Sequence, residues 1–197
     1  RSPGDEGDDE ERKPATVNPM RSAAPRVPRF EEIYRAIAAL PEGVTGEILE
    51  PGLIRTMGRP GAAHRYASSG IVDALGRFNS MRGGTGWWIE IEAEVRLGDL
   101  LAVPDLAGWR VTETPPGFIR QNPIVQVPDW CCELLSPSTG RDDRQLKLPL
   151  YARSGVSWIW LVDPDAQRVE VHKSRNGSPA LIAQASGNET ASLPPFD

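Results

Sequence analysis

The stretch PDWCCELLSPSTGRDDRQLKLPLYARSGVSWIWLVDP, residues 128–164, sets the architecture of this chain. It reads as an apolar strand over 129–135, a polar turn from Ser136 to Gly140, a charged helix over about 142–153 and a second apolar strand near 157–162. Strand, helix and strand in that order call for an α/β fold around a mixed central sheet flanked by helices. Pro149 falls inside the helix, where it removes a backbone donor and crowds the preceding turn, so a kink is expected there. One residue in the first strand is out of character. Glu133 sits in the run Trp130-Cys131-Cys132-Glu133-Leu134-Leu135, and burying a carboxylate costs several kcal/mol unless something pairs with it.

A second carboxylate, Asp105, closes another apolar strand at Val103-Pro104-Asp105, and a lysine, Lys147, lies on the charged helix. Each has an ordinary reading. Asp105 would serve as a strand-end turn residue, Glu133 as half of a structural ion pair with an arginine, and Lys147 as a surface residue held by Asp143 at i,i+4 spacing, worth ~0.3–0.5 kcal/mol. Together they suggest a metal-dependent phosphodiesterase site. Phosphodiester hydrolysis needs a hard cation to offset charge in the transition state and to acidify the attacking water. Magnesium takes one or two carboxylates and keeps several waters. Asp105 and Glu133 would supply the carboxylates, the Leu134 carbonyl a third oxygen, and Lys147 would orient or deprotonate the water or neutralise the scissile phosphate.

Outward from this core, Phe30, Ile33, Tyr34, Ile37 and Leu40 recur at helical spacing, and strands fit 45–50 and 53–57. A second helix is expected from about Gly61 to Ser80, with His64, Ala67, Ile71, Leu75 and Phe78 on one face. Residues 87–95 alternate as a single strand, which puts Glu92 and Glu94 on one face, either bordering the site or facing solvent. A further strand is expected over 100–109, and residues 112–127 form a Pro-rich loop that reads as a lid or as a surface excursion. Strands follow near 168–173 and 180–185, and the tail Leu193-Pro194-Pro195-Phe196 is expected to dock at a sheet edge.

Composition bounds the rest. The chain has 197 residues and 39% hydrophobic content, enough for one domain with a core, and residues 1–28 read as a disordered, acidic tail before a domain spanning 29–197. Arg1 opens the chain and Met20 precedes more ordinary sequence, so natural translation is expected to start at Met20. No run approaches the ~18 apolar residues of a membrane span, and no signal-peptide pattern occurs, which points to the cytoplasm. The two cysteines, Cys131 and Cys132, are adjacent on a strand and therefore face opposite ways, as core residues rather than a disulfide. A net charge of −5 counts against a tight non-specific DNA binder. Only three of 22 basic residues are lysines, so Lys147 in this position is notable.

The segments VPDLAGW at 103–109, GEILEPG at 46–52 and the long stretch 128–164 resemble the restriction-endonuclease family called Uma-two, of the PD-(D/E)XK nuclease superfamily. The resemblance covers residues 30–197. It implies a restriction-endonuclease-like core and a nuclease site using Mg2+ or Mn2+ on DNA, with a homodimer as the arrangement that cuts both strands. It also implies roles. Asp105 and Glu133 match the metal-binding acids, Glu47 an outer metal ligand, and Lys147 the assisting lysine, here on the helix because Leu135 occupies the superfamily's usual position. His64 matches a histidine expected to contact phosphate or cap the second helix, and Arg144 is a candidate for backbone phosphate. The displaced lysine and acidic balance also suit a second reading: a catalytically inactive nuclease-fold scaffold or nucleic-acid-binding module.

Overall fold

The computed structural model describes residues 26–58, 61–187 and 190–197. The expected tail, through residue 25, and Met20 as a start lie outside the described residues. Among the described residues, ten strands form two sheets. β1 (Thr45–Glu50), β2 (Leu53–Met57), β4 (Val95–Leu97) and β5 (Leu100–Ala102) make a small antiparallel sheet in the order β2-β1-β5-β4. β3 (Trp87–Ile91), β6 (Leu106–Arg110), β7 (Trp130–Leu134), β8 (Trp158–Asp163), β9 (Arg168–Arg175) and β10 (Ser178–Ser186) make the large one, in the order β10-β9-β8-β7-β6-β3. Its only parallel pair is β7 with β8, in register from Trp130↔Trp158 to Leu134↔Val162, so the sheet is mixed as expected.

The connection between β7 and β8 is the helix over residues 140–154. It begins as α3 (Gly140–Asp142), runs through a π-helical stretch Asp143–Lys147 and ends as α4 (Leu148–Ser154), capped by Gly155 in the left-handed region at φ 97°. The expected irregularity at Pro149 thus takes the form of a wide turn just before it. A π turn moves the hydrogen-bonding register back by one residue, where the proline ring would otherwise meet the carbonyl four residues earlier.

Period-two alternation gives the large sheet two greasy faces. Cys131, Ile159 and Leu161 meet Leu148, Leu150, Tyr151 and Ala152 of the crossover helix on one side. Trp130, Cys132 and Leu134 meet Val72 and Leu75, which belong to α2 (Ala62–Ala74) and its C-cap, on the other. The small sheet lies on the crossover-helix side. Its outer face packs Ile48 and Leu101 against α1 (Phe30–Ala38), while Leu49 turns inward. The two cysteines are buried and unpaired, on opposite faces.

Three expectations need correction. The single strand over 87–95 is two strands in two sheets: Glu92 adopts φ 51°, a left-handed conformation that breaks the pleat, and the chain crosses from the large sheet to the small one. The strand over 100–109 likewise divides at Val103-Pro104-Asp105, where the chain crosses back. The crossings lie side by side, with Glu92 N–H donating to the Asp105 carbonyl at 3.2 Å. Of the two readings of the Pro-rich loop, the lid gives way to the surface excursion, since residues 112–127 do not line the cavity. Ile124 exchanges backbone hydrogen bonds of 2.8 Å with Glu94 and Arg96, the Gln126 carbonyl accepts from Trp109 Nε1 at 2.9 Å, and Phe118 packs on Trp109.

The C-terminal tail docks on a face of the large sheet rather than its edge. Phe196 enters a cup of rings from Phe78, Trp87, Trp130 and Trp160, with centroids 4.8–5.6 Å away, and the Pro194 carbonyl accepts from Trp160 Nε1 at 2.8 Å. A face buries a phenyl ring on all sides; an edge would leave half of it wet. No helix among the described residues is long and apolar enough to cross a membrane. Phe196→Ala should cost about 3 kcal/mol of stability by urea unfolding, in the range for truncating a buried aromatic; a loss below about 1 kcal/mol would show that the tail is not part of the core.

Candidate active site

Three elements converge beneath the crossings between the sheets. β1 carries Glu47 on the inward face beside Leu49, β7 carries Glu133 on the face shared with Cys131, and the π-helical stretch carries Asp143 and Lys147. All four are buried: Glu47 and Glu133 are 1% exposed, Asp143 and Lys147 2%. Lys147 Nζ lies 3.0 Å from Glu47 Oε1, 3.1 Å from Glu133 Oε2 and 3.6 Å from Asp143 Oδ1. Glu47 Oε1 also accepts from Val103 N–H at 2.7 Å, and Glu133 Oε1 accepts from the Tyr151 hydroxyl.

Asp105 stands beside this group at the second crossing. Its Oδ2 accepts from Leu134 N–H at 2.6 Å, and its Oδ1 lies 2.9 Å from His64 Nε2. The Leu134 contact seen is therefore through its amide. His64, in the first turn of α2, is an Asp105 partner, and no side-chain cap is found at that helix start. A cavity of about 810 Å3 opens onto the cluster; His64, Glu92, Asp105, Glu133, Asp143 and Lys147 line it, and residues 112–127 do not.

The electrostatics follow from burial and an excess of carboxylates. Burial pushes the Glu133 carboxyl well up, and Asp105, Asp143 and Glu47 add to this against the opposing Lys147. Burial likewise raises Asp143 to about 6, against Lys147 and a hydrogen bond from Thr139. Desolvation would lower Lys147, but Glu133, Glu47, Asp143 and Asp105 together raise it, so it stays an ammonium. The hydrogen bond to Asp105 raises His64 above the usual imidazole value, aided by Glu92 and Asp143 and opposed by burial.

The four residues expected at the site, Asp105, Glu133, Lys147 and Glu47, are thus brought together. Glu92 borders the cavity, whereas Glu94, beyond the chain crossing, accepts from the Tyr34 hydroxyl at 2.5 Å. Arg144 does not face the cavity cluster: its guanidinium binds Glu170 in two hydrogen bonds of 2.7 and 3.0 Å. Tyr151 escapes a reading of the sequence, where it passes for core, and Asp143 is legible there only as a surface partner of Lys147, not as a buried member of the site. The signal is their spacing with Lys147, at 143, 147 and 151, which stacks three polar groups on one helix face.

Carboxylate oxygens are the donors that a hard divalent cation prefers. Asp105 and Glu133 supply them at the cavity, and each oxygen retains acceptor capacity beyond the partner it has. Among the described residues no three His, Cys, Asp or Glu side chains form a ready ligand cage.

Asp143 supplies a pH test. Its proton is held more tightly folded, at about 6, than at the ordinary 3.8, so the folded state binds more protons between those values and stability falls as pH rises through them. Asp143→Asn removes the ionisation. With chelator present, the variant should be more stable than the parent at pH 8, by on the order of 2–3 kcal/mol, and the advantage should vanish towards pH 4. A variant less stable at pH 8 would contradict the charge excess.

Comparison with known proteins bears on the fold and the family. No curated protein matches. The crystal structure of a "putative nuclease belonging to DUF820" from Anabaena variabilis superposes with a TM-score of 0.65 at 22% identity, over 85% of this chain and 90% of that one, which establishes a shared fold. The Uma2 family, described as "Putative restriction endonuclease", matches residues 30–196. The likeness read from three sequence segments therefore extends over the whole described domain, and the chain belongs to the Uma2 family.

Proposed function

We propose that this protein is an endonuclease that hydrolyses phosphodiester bonds in DNA, with Mg2+ or Mn2+ held by Asp105 and Glu133 and with Glu47 as an outer ligand. The observation that carries the reading is the buried ammonium of Lys147 bridging Glu47 and Glu133 at the floor of a cavity that Asp105 also enters. Membership in a family described as restriction endonucleases supports DNA as substrate.

When bound, such a cation offsets charge on the scissile phosphate and lowers the pKa of the attacking water. The chain's own groups prepare the rest. Leu134 N–H and His64 fix the two oxygens of Asp105, and Tyr151 fixes Glu133. Lys147, held between Glu47 and Glu133, would orient or deprotonate the water or neutralise a phosphate oxygen. Cutting both strands of a duplex would use a two-fold dimer, each copy bringing one site. We place the enzyme in the cytoplasm, where its two buried thiols stay reduced.

The second reading, an inactive scaffold or binding module, draws on a specific observation: the facing oxygens of Asp105 and Glu133 and the Lys147 amine already have protein partners, as in a structural network. Asp105→Ala separates the two. Single-stranded DNA, plasmid and RNA are incubated with Mg2+ or Mn2+, and the proposal expects metal-dependent cleavage that the substitution lowers by at least about 100-fold, or ~2.7 kcal/mol of barrier. Cleavage by neither protein, or equally by both, would favour the scaffold.

A further inference from the structure

We infer that the cavity takes an unpaired DNA strand or strand end in preference to intact duplex, an inference that rests on the nuclease reading and specifies its substrate. The first observation is depth. Glu133 and Lys147 are 1% and 2% exposed, at the floor of a cavity of about 810 Å3. That lies within the ~300–1,000 Å3 of pockets that enclose single small ligands. Among the described residues its walls include the open ends of β1 and β2 at Thr45 and Met57, the start of α2 at Gly61–His64, the turn at Ser136–Thr139, and Pro164 with Asp165. A paired strand would have to carry its partner strand into this space; an unpaired one would not.

The second observation is charge. Proteins that hold duplex DNA neutralise several phosphates with lysine and arginine. Among the described residues lining this cavity stand five carboxylates, those of Glu92, Asp105, Glu133, Asp143 and Asp165. The cations there are Lys147 and His64, and both already lie on carboxylates. Two arginines of nearby elements are also engaged, Arg55 by Glu50 and Asp142 and Arg144 by Glu170. Such walls disfavour a run of phosphates on any strand and admit a single phosphate bridged by a cation at the acids, which suits a strand end and weighs twice against a duplex with its two backbones.

Among the described residues the rest of the lining is neutral, with Thr45, Ser138, Met57, Pro137 and Pro164. A few polar groups in a mostly apolar wall can hold a sugar and an unstacked base. A duplex keeps its bases stacked and paired.

The test uses the full chain with three labelled DNAs of one sequence: a short single strand, a blunt duplex and a dumbbell duplex closed at both ends. Fluorescence anisotropy in Ca2+ should show the single strand binding at least about tenfold more tightly than the dumbbell. Equal or tighter binding of the dumbbell, or no binding of any DNA, would overturn the inference. Cleavage in Mn2+ separates this from the underlying reading. Asp105-dependent cutting of the dumbbell as fast as the single strand would overturn the strand preference alone. Retained strand preference without Asp105-dependent cutting would support the preference and remove the nuclease.

Discussion

A single ammonium group ties the molecule together. Lys147 Nζ lies between Glu47 of the small sheet and Glu133 of the large one, on a helix that must be wound one register wide to deliver it. Removing these charges from water costs several kcal/mol per ion, and only close pairing offsets that. The ion pairs therefore fix how the two sheets and the crossover helix approach one another. The chain crosses between the sheets at Glu92 and at Asp105, directly above the cluster, so the seam of the fold and the mouth of the cavity are one place.

The cluster carries more acids than its one ammonium can neutralise. One ammonium faces Glu47, Glu133 and Asp143, with Asp105 alongside, and the surplus pushes the protons of Glu133 and Asp143 upward. A purely structural network would be more stable with fewer acids, since an unneutralised buried carboxylate is a net cost. A divalent cation at the cavity would relieve the surplus, which links the energetic oddity to the proposed chemistry. It also explains why Tyr151 and Leu134 N–H hold the acids from behind: they fix oxygens in place without adding charge.

Much of this was legible in residues 128–164. Periodicity placed β7, the crossover helix and β8 almost to the residue, because both strands are apolar throughout and the polar turn between them is unambiguous. Lys147 stood out through scarcity, and Glu133 through its apolar neighbours. The division of 87–95 was hidden because alternation continues across Glu92, and a glutamate gives no warning of a left-handed backbone. The burial of Asp143 and the place of Tyr151 were hidden, because an i,i+4 ion pair on a charged helix reads as surface and an aromatic in a core helix has an ordinary explanation. Phe196 was expected in contact with the sheet, but nothing local could tell an edge from a cup built by four rings distant in sequence.

Whether the acids beside Lys147 form a cation seat decides between an enzyme and a scaffold. Diffraction from crystals soaked in manganese, collected at the metal's absorption edge, answers this. An anomalous peak is expected against the carboxylates of Asp105 and Glu133, with the lysine amine still on Glu47. A peak elsewhere, or a saturated soak with none at these acids, would rule the cation seat out.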